Sequence, residues 1–166
     1  MDNTCDVLAD FIDIKSPFTW GHSKAVAEAA EGIAKKLGLP ESEAVHLRRA
    51  ALVHDLGKVT VPCSAMEKEA GFTSDEWERH RLHAYYTECI LSRVEPLREL
   101  GPDAVAHHEW VNGEGYHLQL KGDQTNRRQR ILAVSDAYAS LTDTGEAKMP
   151  SGMALDELKG SGGHQG

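Results

Sequence analysis

His54 and Asp55 stand side by side at the end of an apolar run, Ala51-Leu52-Val53, and Gly57 and Lys58 follow at once. Imidazole beside carboxylate is a good ligand pair for a divalent transition metal. Lys58 would turn towards the same space if the chain kept coiling. Alone, the dipeptide is common, and a helix end capped by Gly57 would explain it as well. Other residues of the same chemistry recur along the chain: His22, His80 and His83 one turn apart, the adjacent His107 and His108, and Asp136. Asp136 lies within an apolar stretch, Ile131-Leu132-Ala133-Val134 before it and Ala137 after it. A carboxylate buried there must be paired or must coordinate a metal. What chance does not supply is the ordered set His22, His54-Asp55, Lys58, His83, His107-His108-Glu109, Gly115-Tyr116 and Asp136.

The elements that must position these residues read as helices. Val7, Leu8, Phe11, Ile12 and Ile14 suggest one apolar face, stopped at Ser16-Pro17. A second helix runs from about Thr19 to Leu37 with Val26, Ala29, Ala30, Ile33, Ala34 and Leu37 inward, and Gly38 ends it. Pro40 opens a third, with Ala44, Val45, Leu47, Ala51 and Leu52 inward, which delivers His54 and Asp55. An irregular segment follows Pro62, and Thr73 or Ser74 caps a helix reaching about Ser92, with Asp75 and Glu76 in its first turn. Pro102 starts a short helix ending in His107-His108-Glu109. The polar, Gly-rich stretch from Asn112 to Asn126 is a loop long enough to suspect function. A last helix spans about Arg127 to Leu141 and buries Ile131, Leu132, Val134 and Tyr138. No alternation of strand type persists, so the expected fold class is all-α.

The 166 residues suit one domain with a real core, and 40% apolar and 27% charged residues are ordinary globular values. A formal net charge of −8 argues against gripping a nucleic-acid polymer by its backbone, although bound cations would still let an acidic protein handle a phosphate. No apolar run is long enough to span a membrane, and no signal peptide is visible. Cys5, Cys63 and Cys89 are odd in number and far apart, as free thiols in a reducing cytoplasm would be.

The motifs "DIKSPFTWGHS", "ALVHDLGKVTVP", "FTSDEWERHRLHAYYTECIL", "HHEWVNGEGYH" and "RILAVSDAYASLT" together resemble the HD superfamily of metal-dependent phosphohydrolases. The branch they resemble is the HD-GYP type of bacterial cyclic di-GMP phosphodiesterase, over about Ala9 to Asp143. That resemblance implies a bundle of five to seven helices, with the HD-GYP-like domain over 1–145 and a short helix plus flexible Gly-rich tail over 146–166. It implies two divalent cations, iron or manganese first, with zinc, nickel, cobalt or magnesium as alternatives. Asp55 would bridge them, His22, His54 and Asp136 would hold one, and His83, His107 and His108 the other. A hydroxide between the metals would attack phosphorus, and Lys58 would stabilise the transition state beside Asp55. Lys58, Gly115, Tyr116 and Lys148 would contact substrate. The implied substrate is cyclic di-GMP, cut to pGpG or GMP. The implied neighbours are a sensory or diguanylate cyclase-type domain, and a homodimer is allowed.

This chain departs from the pattern at several positions. Phe18 stands where some members carry a Glu that helps to bind a third metal, so two metals are expected. The usual Gly-Tyr-Pro reads Gly115-Tyr116-His117, with His117 expected as a loop residue rather than an extra ligand. Gly145 replaces a phosphate-contacting Arg, with Lys148 the nearest basic substitute. The C-terminal helices shrink to about Met153 to Lys159, which would leave one pocket wall missing. A catalytically silent, metal-containing signalling module and a phosphohydrolase of another nucleotide are the alternatives these losses favour.

Overall fold

The computed structural model describes residues 1–67, 71–142 and 149–160, and Gly145 and Lys148 lie outside them. The described residues contain α1 (Asp2–Asp13), α2 (His22–Lys36), α3 (Glu41–Val53), α4 (Cys63–Met66), α5 (Ser74–Arg81), α6 (His83–Leu91), α7 (Glu95–Arg98), α8 (Gly101–Ala104), α9 (Arg127–Thr142) and α10 (Ser151–Gly160). Tight 3-10 turns occupy Leu56–Thr60 and Gly122–Gln124. Among the described residues there is no named strand, only an isolated bridge between Asn112 and Lys121. Three helices are single turns of four residues, so the longer ones match the expected five-to-seven-helix all-α bundle.

The core forms where α2 crosses α3 and both meet α9. Val26, Ala27, Ala30 and Ala34 face Ala44, Leu47, Ala50 and Ala51, with Leu132 and Ala139 closing the third side. Small side chains on the facing ridges let the axes come close. Leu47, Leu52 and Leu132 are fully buried, each contributing about 1.5–3 kcal/mol. α2 ends as expected at Gly38, whose φ is +70°. The amides of Gly38 and Leu39 donate to the carbonyls of Lys35 and Ala34, satisfying the last turn. Thr73 caps α5 in a reciprocal box with Glu76.

Four expectations need correction. α1 buries Cys5, Ala9 and Ile12, while Val7, Phe11 and Ile14 are exposed. The helix carries two apolar stripes, and the narrower one, with small residues, fits against its neighbours. Leu37 is exposed because it lies past the last turn of α2. The single helix expected from Thr73 to Ser92 is broken at Leu82 into α5 and α6, and His83 begins the second piece. α8 ends at Ala104, so His107 and His108 sit in the turn after it, not in a helix.

Candidate metal centre

Each side chain reaches the centre from a helix end or a tight turn, apart from Asp136 in the middle of α9. His22 opens α2, where the Asp13 carboxylate accepts hydrogen bonds from Ser23 N at 3.0 Å and Ser23 Oγ at 2.7 Å. His54 caps the C-terminus of α3, and Asp55 and Lys58 belong to the turn that follows. That turn lies directly on α6. Gly57 is required there, because a Cβ would stand 1.8 Å from the His83 carbonyl oxygen. Thr87 locks the contact by accepting from Gly57 N at 2.9 Å and donating to the His54 carbonyl at 3.0 Å.

Three of the histidines share one local arrangement. The Nδ1 atoms of His54, His83 and His107 lie 2.6, 2.5 and 2.7 Å from the carbonyls of Ala51, His80 and Ala104, each three residues back. A carbonyl only accepts, so each Nδ1 carries the proton and each Nε2 presents a bare lone pair inward. His83 Nε2 and His107 Nε2 then face each other 3.0 Å apart. Asp55 divides its oxygens between two groups. Its Oδ1 lies 3.4 Å from His83 Nε2 and 3.7 Å from His107 Nε2. Its Oδ2 lies 3.3 Å from His54 Nε2 and 3.8 Å from His22 Nε2. Asp136 completes the second group, with Oδ1 3.0 Å from His22 Nε2 and 3.5 Å from His54 Nε2, and Oδ2 3.9 Å from His108 Nδ1. Lys58 Nζ rests 2.5 Å from Asp55 Oδ2.

Electrostatics prepare these groups as ligands. Burial would raise the carboxyl of Asp55, but His54, Lys58, His83 and His107 outweigh it and hold it well below the usual range. Asp136 is likewise held well below, its burial overcome by the hydrogen bond with His22 and by the imidazoles of His54 and His108 beside it. Burial, reinforced by His54, drops His107 to about 4, and burial lowers His83 and His108 strongly. Neutral imidazoles and ionised carboxylates are the forms that bind metal. Burial would lower Lys58, yet Asp55 and Asp136 hold its ammonium above its ordinary range.

The residues fit divalent cations. Buried His54 Nε2 and Asp55 Oδ1, which both face the centre, have no hydrogen-bond partner, an expensive state that coordination relieves. Donor atoms of His22, His54 and Asp136 lie within 4.8 Å of one another, as do those of His54, Asp55 and His107, and those of His107, His108 and Asp136. Five imidazoles and two carboxylates form a mixed N/O set, which suits iron or manganese.

A cavity of about 320 Å³ opens beside this centre, lined by His107, His108 and Asp136 and by Trp110, Ser140 and Glu157. α10, through Glu157 and Leu158, forms the wall that the shortened C-terminus was expected to lack. Tyr116 borders the centre with its ring 4.6 Å from His108, and burial holds its phenol protonated. Gly115 is buried where a Cβ would stand 2.4 Å from the His108 carbonyl oxygen. The Glu109 carboxylate accepts from Leu118 N at 2.6 Å and Leu120 N at 2.7 Å, fixing the loop to the histidine pair. His117 Nε2 lies 3.2 Å from Glu88, the place of a loop residue. Phe18 is exposed.

Of two further residues here, His80 was visible in the sequence but left out of the ligand set, and Lys15 was missed. His80 joins His83 and His108 with donor atoms within 4.8 Å, which its three-residue spacing from His83 had hinted at. Lys15 donates to the carbonyls of Lys58 at 2.6 Å, Val59 at 2.8 Å and Val61, clamping the turn that carries Lys58. No local pattern announces a lysine whose acceptors are main-chain atoms over 40 residues away.

A family model described as HD domain matches residues 6–165. The 3'3'-cGAMP-specific phosphodiesterase 3 of Vibrio cholerae is 36% identical over 146 residues, covering 88% of this chain and 31% of that protein. A cyclic di-GMP phosphodiesterase of Thermotoga maritima is 29% identical over 87% of this chain and 39% of its own length. A solved HDG"Y"P protein from Bdellovibrio bacteriovorus superposes with a TM-score of 0.75 at 16% identity, over 99% of this chain and 59% of that one, a likeness of fold. The chain therefore belongs to the HD domain family, in its HD-GYP branch. It spans about a third of the length of these curated relatives.

Proposed function

We propose that this chain is a metal-dependent phosphodiesterase that hydrolyses a cyclic dinucleotide containing guanine, cyclic di-GMP first, to the linear dinucleotide or on to GMP. The observation that carries this reading is the division of Asp55, Oδ1 towards His83 and His107 and Oδ2 towards His54 and His22. Asp55 would serve both cations, with His22, His54 and Asp136 holding one and His83, His107 and His108 the other. Two divalent cations, when bound here, would supply an activated water and neutralise charge on the phosphoryl group. Lys58, kept charged beside Asp55, would face a phosphoryl oxygen seated at Asp55 and offset the charge that develops there. Tyr116 borders the centre on one side, and α10 and Trp110 line the cavity on the other. The guanine-containing substrate is supported by the relatives, named for cyclic di-GMP and for 3'3'-cGAMP.

The test is incubation of purified, metal-loaded protein with cyclic di-GMP and 3'3'-cGAMP, with products separated by ion exchange. Linear dinucleotide from the parent, and none from His54→Ala or Lys58→Ala, is the expected result. An inactive parent that retains its metals would favour a silent signalling module instead.

A further inference from the structure

Next to the metal centre, α5 presents a face that the proposed chemistry leaves unused. Trp77, His80 and Arg81 fall three and four positions apart, so they share that face. Trp77 and His80 are stacked with ring centroids 5.6 Å apart and planes 14° from parallel, and Phe72 packs on both at 5.8 and 5.0 Å. These separations are those of real aromatic contacts, and they hold the indole in one plane. Trp77 nonetheless keeps 45% of its surface open. The cluster touches the centre through His80, whose ring lies 5.2 Å from His83. Tyr116, which also touches His108, meets Trp77 edge-on at 6.4 Å. The Arg81 guanidinium lies 5.2 Å from the centre of the Tyr116 ring and has no carboxylate partner among the described residues.

Resting on the phosphodiesterase reading, we propose that this face is the base-recognition subsite: a guanine of the substrate stacks on Trp77 while Arg81 reads its edge. An open indole beside a phosphate site is a stacking surface for any base. The arginine supplies the choice, since guanine offers it the acceptors O6 and N7, whereas adenine puts an amino donor where O6 would be. The subsite thus accepts cyclic di-GMP and the guanine half of 3'3'-cGAMP and disfavours cyclic di-AMP. His80 and Phe72 are positioning residues that keep the indole plane fixed.

Equilibrium binding and steady-state kinetics of the metal-loaded chain test this. Trp77→Ala should raise Kd and KM for cyclic di-GMP about tenfold, with kcat moved less, and Trp77→Phe should restore most of the affinity. Arg81→Met should cut the preference for cyclic di-GMP over cyclic di-AMP about tenfold. Parent cleavage of cyclic di-GMP with Trp77→Ala and Arg81→Met behaving like the parent overturns the subsite and leaves the phosphodiesterase reading standing. A metal-loaded parent that neither binds nor cleaves any cyclic dinucleotide overturns both.

Discussion

The Nε2 atoms of His83 and His107 face each other at 3.0 Å while both Nδ1 atoms are committed to backbone carbonyls. Two lone pairs so placed in a buried site repel unless a positive charge lies between or beside them. Metal removal should therefore cost stability as well as activity. Dialysis against a chelator is expected to lower stability by about 3 kcal/mol, roughly 6–12 °C in Tm, with recovery on adding manganese or ferrous iron. Differential scanning calorimetry reads this, and an unchanged Tm would argue that the histidines only pack.

Lys15 ties the turn of Lys58 to the end of α1 through three carbonyls. Lys15→Met should cost about 2 kcal/mol and lower kcat about tenfold, with metal content preserved, because the ligands are held by other elements. Elemental analysis beside kinetics separates this from a loss of metal.

Gly57 leaves no room for a methyl group against the His83 carbonyl. Gly57→Ala is expected to destabilise by about 3 kcal/mol and to weaken metal binding, since the turn must lift away from α6. A urea titration with parent-like midpoint would refute the close packing of these two segments.

Asp103 is buried between α3, α8 and α9, with Oδ2 2.9 Å from His46 Nε2 and 2.8 Å from Arg128 Nε, and Oδ1 3.1 Å from Asn126 Nδ2. Burial works against its charge, but these hydrogen bonds prevail and hold its carboxyl below the usual 3.8. A carboxylate depressed on folding stabilises fully above its unfolded pKa and loses that contribution as pH falls through the folded one. Stability should thus drop below about pH 4 in the parent, and Asp103→Asn should lower it by about 2 kcal/mol at neutral pH while flattening that acid limb. Melting curves from pH 3 to 7 measure both.

The helical class and the convergence of His22, His54, Asp55, His83, His107, His108 and Asp136 were readable because ordered motifs survive any detail of packing. The inward face of α1 was not, since Val7, Phe11 and Ile14 compete with Cys5, Ala9 and Ile12 and only the neighbouring helices decide between them. The break at Leu82 was hidden for a related reason. Residues 74–91 carry a continuous helical pattern, and the interruption follows from seating His83 against the turn of Gly57. The closing wall from α10 needed three dimensions, because Glu157 and Leu158 reach the cavity only once α10 folds back on α9.

Crystallography with anomalous data collected at the iron and manganese edges addresses the central claim most directly. Two peaks are expected, one beside Asp55 Oδ1 with His83, His107 and His108, the other beside Asp55 Oδ2 with His22, His54 and Asp136. A single peak away from Asp55, or none in protein purified without chelators, would contradict it.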